Sequence, residues 1–223
     1  MNLNIFKLFP EMIKNQSKYP LPRTKITFKA LVDATIPKTP KLAENQGPIQ
    51  LFGALDCNTH GYEIWLLNNF ISLHTPISNF NIYLANATAK MLDVAARQLI
   101  TSKENKNSID EKLFAHKCIF ASLAPDDRFR AITLLEELKV NPAHLPIPFY
   151  NNPGVIIAII GAIIMFVTIG YYTEWSAYGS TSMETPNKRK IEYFPIGWEQ
   201  VGYPGPSKGY HTFRGYLLEK FTE

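Results

Sequence analysis

Carboxylates and imidazoles are the side chains of this 223-residue chain that could move protons, and they are scattered. Asp33, Asp56 and Glu174, with His60 or His211, are the candidates for acid–base work. Such a site needs groups that converge on one reacting atom, and nothing in their spacing makes these converge. Cys57-Asn-Thr-His60 has the spacing of half a metal site. His74, His116, Cys118, His144 and His211 supply no second pair, whereas structural zinc draws four ligands from recognisable pairs. There is no Gly-x-Gly arrangement of a dinucleotide loop and no Cys-x-x-Cys-His for haem attachment. The expectation is a chain with no catalytic, cofactor-binding or metal-binding residues of its own.

The elements that carry these residues read as helices. With 46% hydrophobic and 19% charged residues the composition is that of a globular protein. The net charge of +4 comes from scattered basic residues, and Lys188-Arg189-Lys190 is the one dense cluster. A nucleic-acid binder would show a basic stripe interleaved with aromatics, so no nucleic-acid partner is expected. Two cysteines are not a disulfide framework. The N-terminal residues lack a basic stretch ahead of an apolar core, and no Arg-Arg pair occurs. Neither a secretory nor a twin-arginine signal is expected, and the location read from this is cytoplasmic or membrane-associated.

In chain order, residues 1–23 form a proline-punctuated lead-in. Lys25–Ile36 places Phe28, Leu31, Val32 and Thr35 on one helical face and is stopped by Pro37 and Pro40. Residues 41–61 read as loop. Apolar periodicity predicts helices over Tyr62–Ser72 and Ile82–Ile100, then over Leu113–Leu123 after a polar stretch. Pro125, with Asp126 and Asp127 in the first turn, starts another. Four prolines between 142 and 153 stiffen the next connection. The predicted class is mainly α, a single domain over 1–223. It comprises a helical bundle (24–169) around a central apolar helix, an irregular aromatic and Gly/Pro-rich segment (170–209) and a tail (210–223).

The apolar helix is the stretch that needs an explanation. Between Lys139 and Glu174 there is no Asp, Glu, Lys or Arg. A helix over 155–172 is roughly 27 Å long at ~1.5 Å per residue, at the short edge of a bilayer crossing. Two readings stay open: a helix buried on all sides by the bundle, or a single membrane span. Gly154, Ala158 and Ala162 permit close helix approach in either case.

Beyond it come Tyr171, Tyr172, Trp175, Tyr178, Tyr193, Phe194, Trp198, Tyr203 and Tyr210, broken by glycines and prolines. Trp and Tyr offer rigid amphipathic surface of the kind that anchors interfaces. The expected partner-binding residues are Tyr171, Tyr172, Trp175, Tyr178, Gly179, Trp198, Gly202, Tyr203, Pro204 and Gly205. Gly170-Tyr-Tyr followed by Tyr178-Gly179, and Gly197-Trp-x-x-x-Gly-Tyr-Pro-Gly205, resemble the gluconate 2-dehydrogenase subunit 3 family. Leu31-Val-Asp-Ala-Thr-Ile-Pro37 is similar to that family's early helix ending in Ile-Pro, so the resemblance spans roughly 24–209.

The resemblance implies a non-catalytic small subunit. Its partner would be a large FAD-dependent dehydrogenase of the glucose–methanol–choline class, which itself carries the flavin. Two departures are visible: the twin-arginine leader typical of exported members is absent, and Glu174-Trp-Ser-Ala replaces the usual Asp-Pro before Tyr-Gly. The alternative expectation is a single-span membrane protein tethering a partner at the cytoplasmic face through 155–172.

Overall fold

In the computed structural model, residues 19–71, 73–74 and 81–205 are described, and they fold as a mainly α-helical protein. Helix α1 (Pro22–Thr35) starts on a proline at its first turn, where no N–H is needed. Its Thr24 hydroxyl donates to Asn86 Oδ1 (2.7 Å) inside the protein. Phe28, Leu31 and Val32, predicted on one face, are fully buried. Pro40 does not merely end α1 but begins a further short helix, α2 (Pro40–Gln46), followed by a 3-10 turn over Pro48–Leu51. The chain then folds back on itself, with Ala54 N–H donating to Ile36 O (2.9 Å). Gly53 passes so close to the Ile36–Lys38 backbone that a Cβ there would collide with it.

Helix α3 (Thr59–Asn69) and α4 (Leu84–Thr101) follow, joined through a two-residue antiparallel pairing of β1 (Leu73–His74) with β2 (Asn81–Ile82). Ala85 N–H donates to Asn68 Oδ1 (3.0 Å), tying the end of α3 to the start of α4. The predicted helix over 113–123 is two pieces, α5 (Glu111–Ala115) and α6 (Ile119–Ser122). Lys117 takes a left-handed conformation between them (φ 60°) and breaks the run.

Helix α7 (Pro125–Glu136) begins as read from its proline and acidic first turn. Asp127 is wholly buried and accepts from the backbone N–H groups of Lys106 and Asn107 (2.9 Å each), which fixes the polar 101–112 stretch. Helix α8 (Pro153–Tyr172) is the apolar run, opened by Asn152, whose Oδ1 accepts from Val155 N–H. A 3-10 segment (Glu174–Thr181) and the short α9 (Ile196–Gln200) lie at its C-terminal end.

One contiguous core runs from Phe28 to Tyr171. Its centre is α4 and not the apolar helix. Twelve of the eighteen residues of α4 are buried, and α1, α3, α6 and α7 all pack on it. Only seven of twenty are buried on α8: Ile156, Ile159, Ile160, Ile163, Val167, Gly170 and Tyr171. Those seven fall at helical spacing and face α3 and α7. The opposite side, with Ile157, Met165, Ile169 and Tyr172, is exposed. Neither reading of α8 from sequence describes this. The helix is apolar all round but covered on one side only.

Candidate functional site

The aromatic segment divides into two clusters at the C-terminal end of α8. The inner cluster lies under α3. Tyr171 is fully buried and its hydroxyl donates to Phe52 O (3.0 Å). Trp175 is 2% exposed, with Nε1 donating to Asn58 O (3.2 Å) and its ring 5.0 Å from that of Tyr62. The Arg189 guanidinium stands 4.4 Å from the Trp65 ring centre, 5.1 Å from Trp175 and 5.8 Å from Tyr178. This arrangement uses the negative ring faces to hold a cation. Its Nε donates to Glu184 O (3.1 Å), and Tyr178 donates to Glu174 Oε1 (3.3 Å). Gly179 is required here: its φ is +47°, and a Cβ would run into the Glu192 carboxylate that caps Ser180.

The outer cluster is built by α9. Gly197 presses its backbone on Tyr171 O, so closely that any side chain would strike it. This lets the half-buried Trp198 donate from Nε1 to Tyr172 O (2.9 Å). Phe194 (5.8 Å) and Tyr203 (5.0 Å) stand edge-on to the Trp198 ring, and both are exposed, as is Tyr172. Gly202 makes the turn at φ +67°, returning Tyr203 N–H to Trp198 O (2.8 Å). Pro204 is exposed, and Gly205 is buried beside the Trp198 ring.

The ten expected partner-binding residues therefore do not form one surface. Tyr171 and Trp175 are corrected to core positions, because their rings are enclosed by this chain and their polar tips are tied to its own carbonyls. Tyr178 and Gly179 are partly covered and belong with them. Tyr172, Trp198, Gly202, Tyr203 and Pro204 form the outward group, with Gly205 as its support. Phe194 completes that group and was not singled out from sequence. Nor was the exposed stripe of α8, because an all-apolar helix carries no periodic signal for which side is free.

Three of the acid–base candidates, Asp33, Asp56 and Glu174, have local partners. Asp33 pairs with Arg128 (3.5 Å), which also donates to Ala30 O and Ala121 O and so joins α1, α6 and α7. Asp56 pairs with Lys38 (2.8 Å) and accepts from Gly53 N–H, and this turn holds its carboxyl below the usual range against the effect of burial. His211 lies outside the described residues. Cys57 and Cys118 are buried free thiols, and burial, followed by the Asp56 charge, pushes Cys57 up to about 12. Among the described residues no group of three His, Cys, Asp or Glu gathers to hold a metal.

Compared with family models, with curated proteins and with solved structures, the chain has no match among any of the three.

Proposed function

We propose that the chain is a non-catalytic accessory subunit that docks a large FAD-dependent sugar or alcohol dehydrogenase and stabilises it. The reading is supported by one surface. The free side of α8 (Ile157, Met165, Ile169 and Tyr172) carries no charge and meets the outer aromatic cluster at Tyr172. Rigid aromatics beside an apolar strip make the kind of patch that monomeric proteins rarely leave open. The Gly-Tyr-Tyr and Gly-Trp-x-x-x-Gly-Tyr-Pro-Gly motifs lie on this patch or directly support it. That placement connects the family resemblance to the partner it implies. The flavin belongs to that partner.

The experiment is affinity purification of the tagged chain from its host in mild detergent, followed by an absorption spectrum. A stoichiometric larger protein with a flavin spectrum is the expected result. A colourless chain recovered alone overturns it.

A second reading, a single span tethering a partner at the cytoplasmic face, has its own support. Helix α8 is twenty residues long with mean hydropathy 2.5, so by length and composition it could cross a bilayer. Its cost is in the core: withdrawing α8 into lipid would uncover its packing on α3 and α7. Retention in the pellet after an alkaline carbonate wash would favour this reading, and release would favour the docked subunit.

A further inference from the structure

A cleft of about 700 Å³, with no α8 residue on its described lining, lies between α3, the start of α1 and the loop at 183–186. Its volume is within the range of small-molecule sites. One wall is apolar, built by Ile64, Trp65, Met183 and Pro186. The other carries hydrogen-bond donors without partners among the described residues. Lys25 lines the cleft, and Lys29 follows it one turn along α1; both are exposed, and neither ammonium group has an ion pair or hydrogen bond among the described residues. Like charges at this spacing repel, and an anion between them would relieve that. The Asn58 side-chain amide is likewise without a hydrogen bond among the described residues, and Asn58 caps nothing at the start of α3.

His60 completes the donor set. Burial, then the charges of Lys29 and Lys25, push its imidazole down to about 4, so at neutral pH the ring carries one proton. Nδ1 is sealed from solvent with no partner among the described residues. A proton there would be a buried donor without an acceptor, a costlier defect than an unpaired acceptor. A proton on Nε2 avoids that defect, and His60 stands on the lining of the cleft. Among the described residues of the lining Glu184 is the one carboxylate and Lys25 the one ammonium group, with Lys29 a turn further along α1.

We propose that this cleft binds a small organic anion, with Lys25, Lys29, His60 Nε2–H and Asn58 taking its carboxylate or phosphate group and the Trp65 wall its apolar body. The assignment is independent of the docking surface on α8. It is tested on the full chain by imidazole ¹H–¹⁵N spectra during titration with benzoate and with phenyl phosphate, the His60 signal being identified by its loss in His60→Gln.

A saturable shift is expected, with the His60 midpoint raised by about one pH unit or more, because a bound anion favours the imidazolium. Lys25→Gln with Lys29→Gln, both at exposed positions, is expected to weaken binding at least about tenfold while leaving the helical circular dichroism unchanged. Tighter binding of phenyl phosphate than benzoate assigns the phosphate class, and the reverse assigns the carboxylate class. The proposal is overturned by no saturable response to either acid at about 10 mM. Equal binding of neutral benzyl alcohol, or an undiminished response in the double lysine variant, overturns it too.

Discussion

The inner and outer aromatic clusters use the same residue types within thirty-odd positions of one another, and they serve opposite ends. In the inner cluster Tyr171 and Trp175 have both ring and polar tip enclosed, and a guanidinium occupies the remaining ring face. In the outer cluster Trp198 is held by one hydrogen bond to Tyr172 O, and its companions Phe194 and Tyr203 stay near half exposed, at 48% and 44%. What separates them is the backbone they are mounted on. The inner rings sit where α3 and the 3-10 segment close on each other. The outer rings ride on or beside a five-residue helix fastened at the tip of α8 and against the Pro48–Leu51 turn, and among the described residues they stay partly exposed. The inner set belongs to the core, and recognition is the role proposed for the outer set.

The largest effect that could break this division is at Trp175. Trp175→Ala removes a buried indole from between Tyr62 and Trp65, and is expected to cost about 3–5 kcal/mol of unfolding free energy. Denaturant unfolding checks it. A loss under ~1 kcal/mol would place Trp175 with the outer set.

Next in size is a change expected to stabilise the protein. Glu63, on α3 beside the inner cluster, is fully buried, and neither carboxyl oxygen has a partner among the described residues. Burial raises its pKa well above 4.5, so the folded protein keeps a proton that the unfolded chain releases. The contribution of that proton is fully present below about pH 4.5 and is lost as pH rises toward the folded value, so this group makes stability fall with pH. His60 acts the other way: folded, it binds fewer protons than the unfolded chain between about 4 and 6.5, so its contribution rises with pH there. Glu63→Met removes the unpaired oxygens at similar volume and is expected to add about 1–3 kcal/mol at neutral pH. It is also expected to reduce the decline with rising pH, leaving the part that comes from Asp93, which burial pushes up to about 6. Thermal unfolding across pH 4–8 reads both, and destabilisation by Glu63→Met would show that an internal partner holds the carboxyl.

Trp198→Ala comes third for stability and first for assembly. Its ring is half exposed, so the expected cost to the isolated chain is about 1 kcal/mol, mainly the hydrogen bond to Tyr172 O. Recovery of the flavoprotein partner in the purification is expected to fall sharply. Loss of the helical circular-dichroism signal would instead make Trp198 part of the core and remove the main residue of the interface.

How much of this could be read from sequence depended on whether a signal was local. Helix α1 was legible because Phe28, Leu31 and Val32 repeat at helical spacing, and α7 because Pro125 and two aspartates mark its start. The helix at 40–46 is not legible because Pro40 reads as a stop, although a proline suits a first turn equally well. The break at Lys117 is not legible because a left-handed lysine leaves no compositional mark. The sorting of the aromatics was illegible for a different reason. Whether Trp175 or Trp198 is buried is decided by Asn58 O and Tyr172 O, partners 117 and 26 residues away in sequence.

The smallest effect on stability sharpens the comparison most, because it separates the two sides of α8 itself. Met165 is 52% exposed on the free side, and Ile160 is fully buried on the packed side. Met165→Asp leaves its carboxylate in water and breaks no contact of the core, so the unfolding free energy is expected to change by no more than about 0.5 kcal/mol. Ile160→Asp, in contrast, forces a charge between α8 and its neighbours and is expected to prevent folding. If the free side docks on a protein, Met165→Asp yields a folded chain that no longer brings down the flavoprotein, since a desolvated charge without a partner is costly at an interface. If the free side has no role, the variant assembles like the parent. Co-purification of the two chains would then restrict recognition to the Trp198 cluster and leave the exposed stripe of α8 outside the interface.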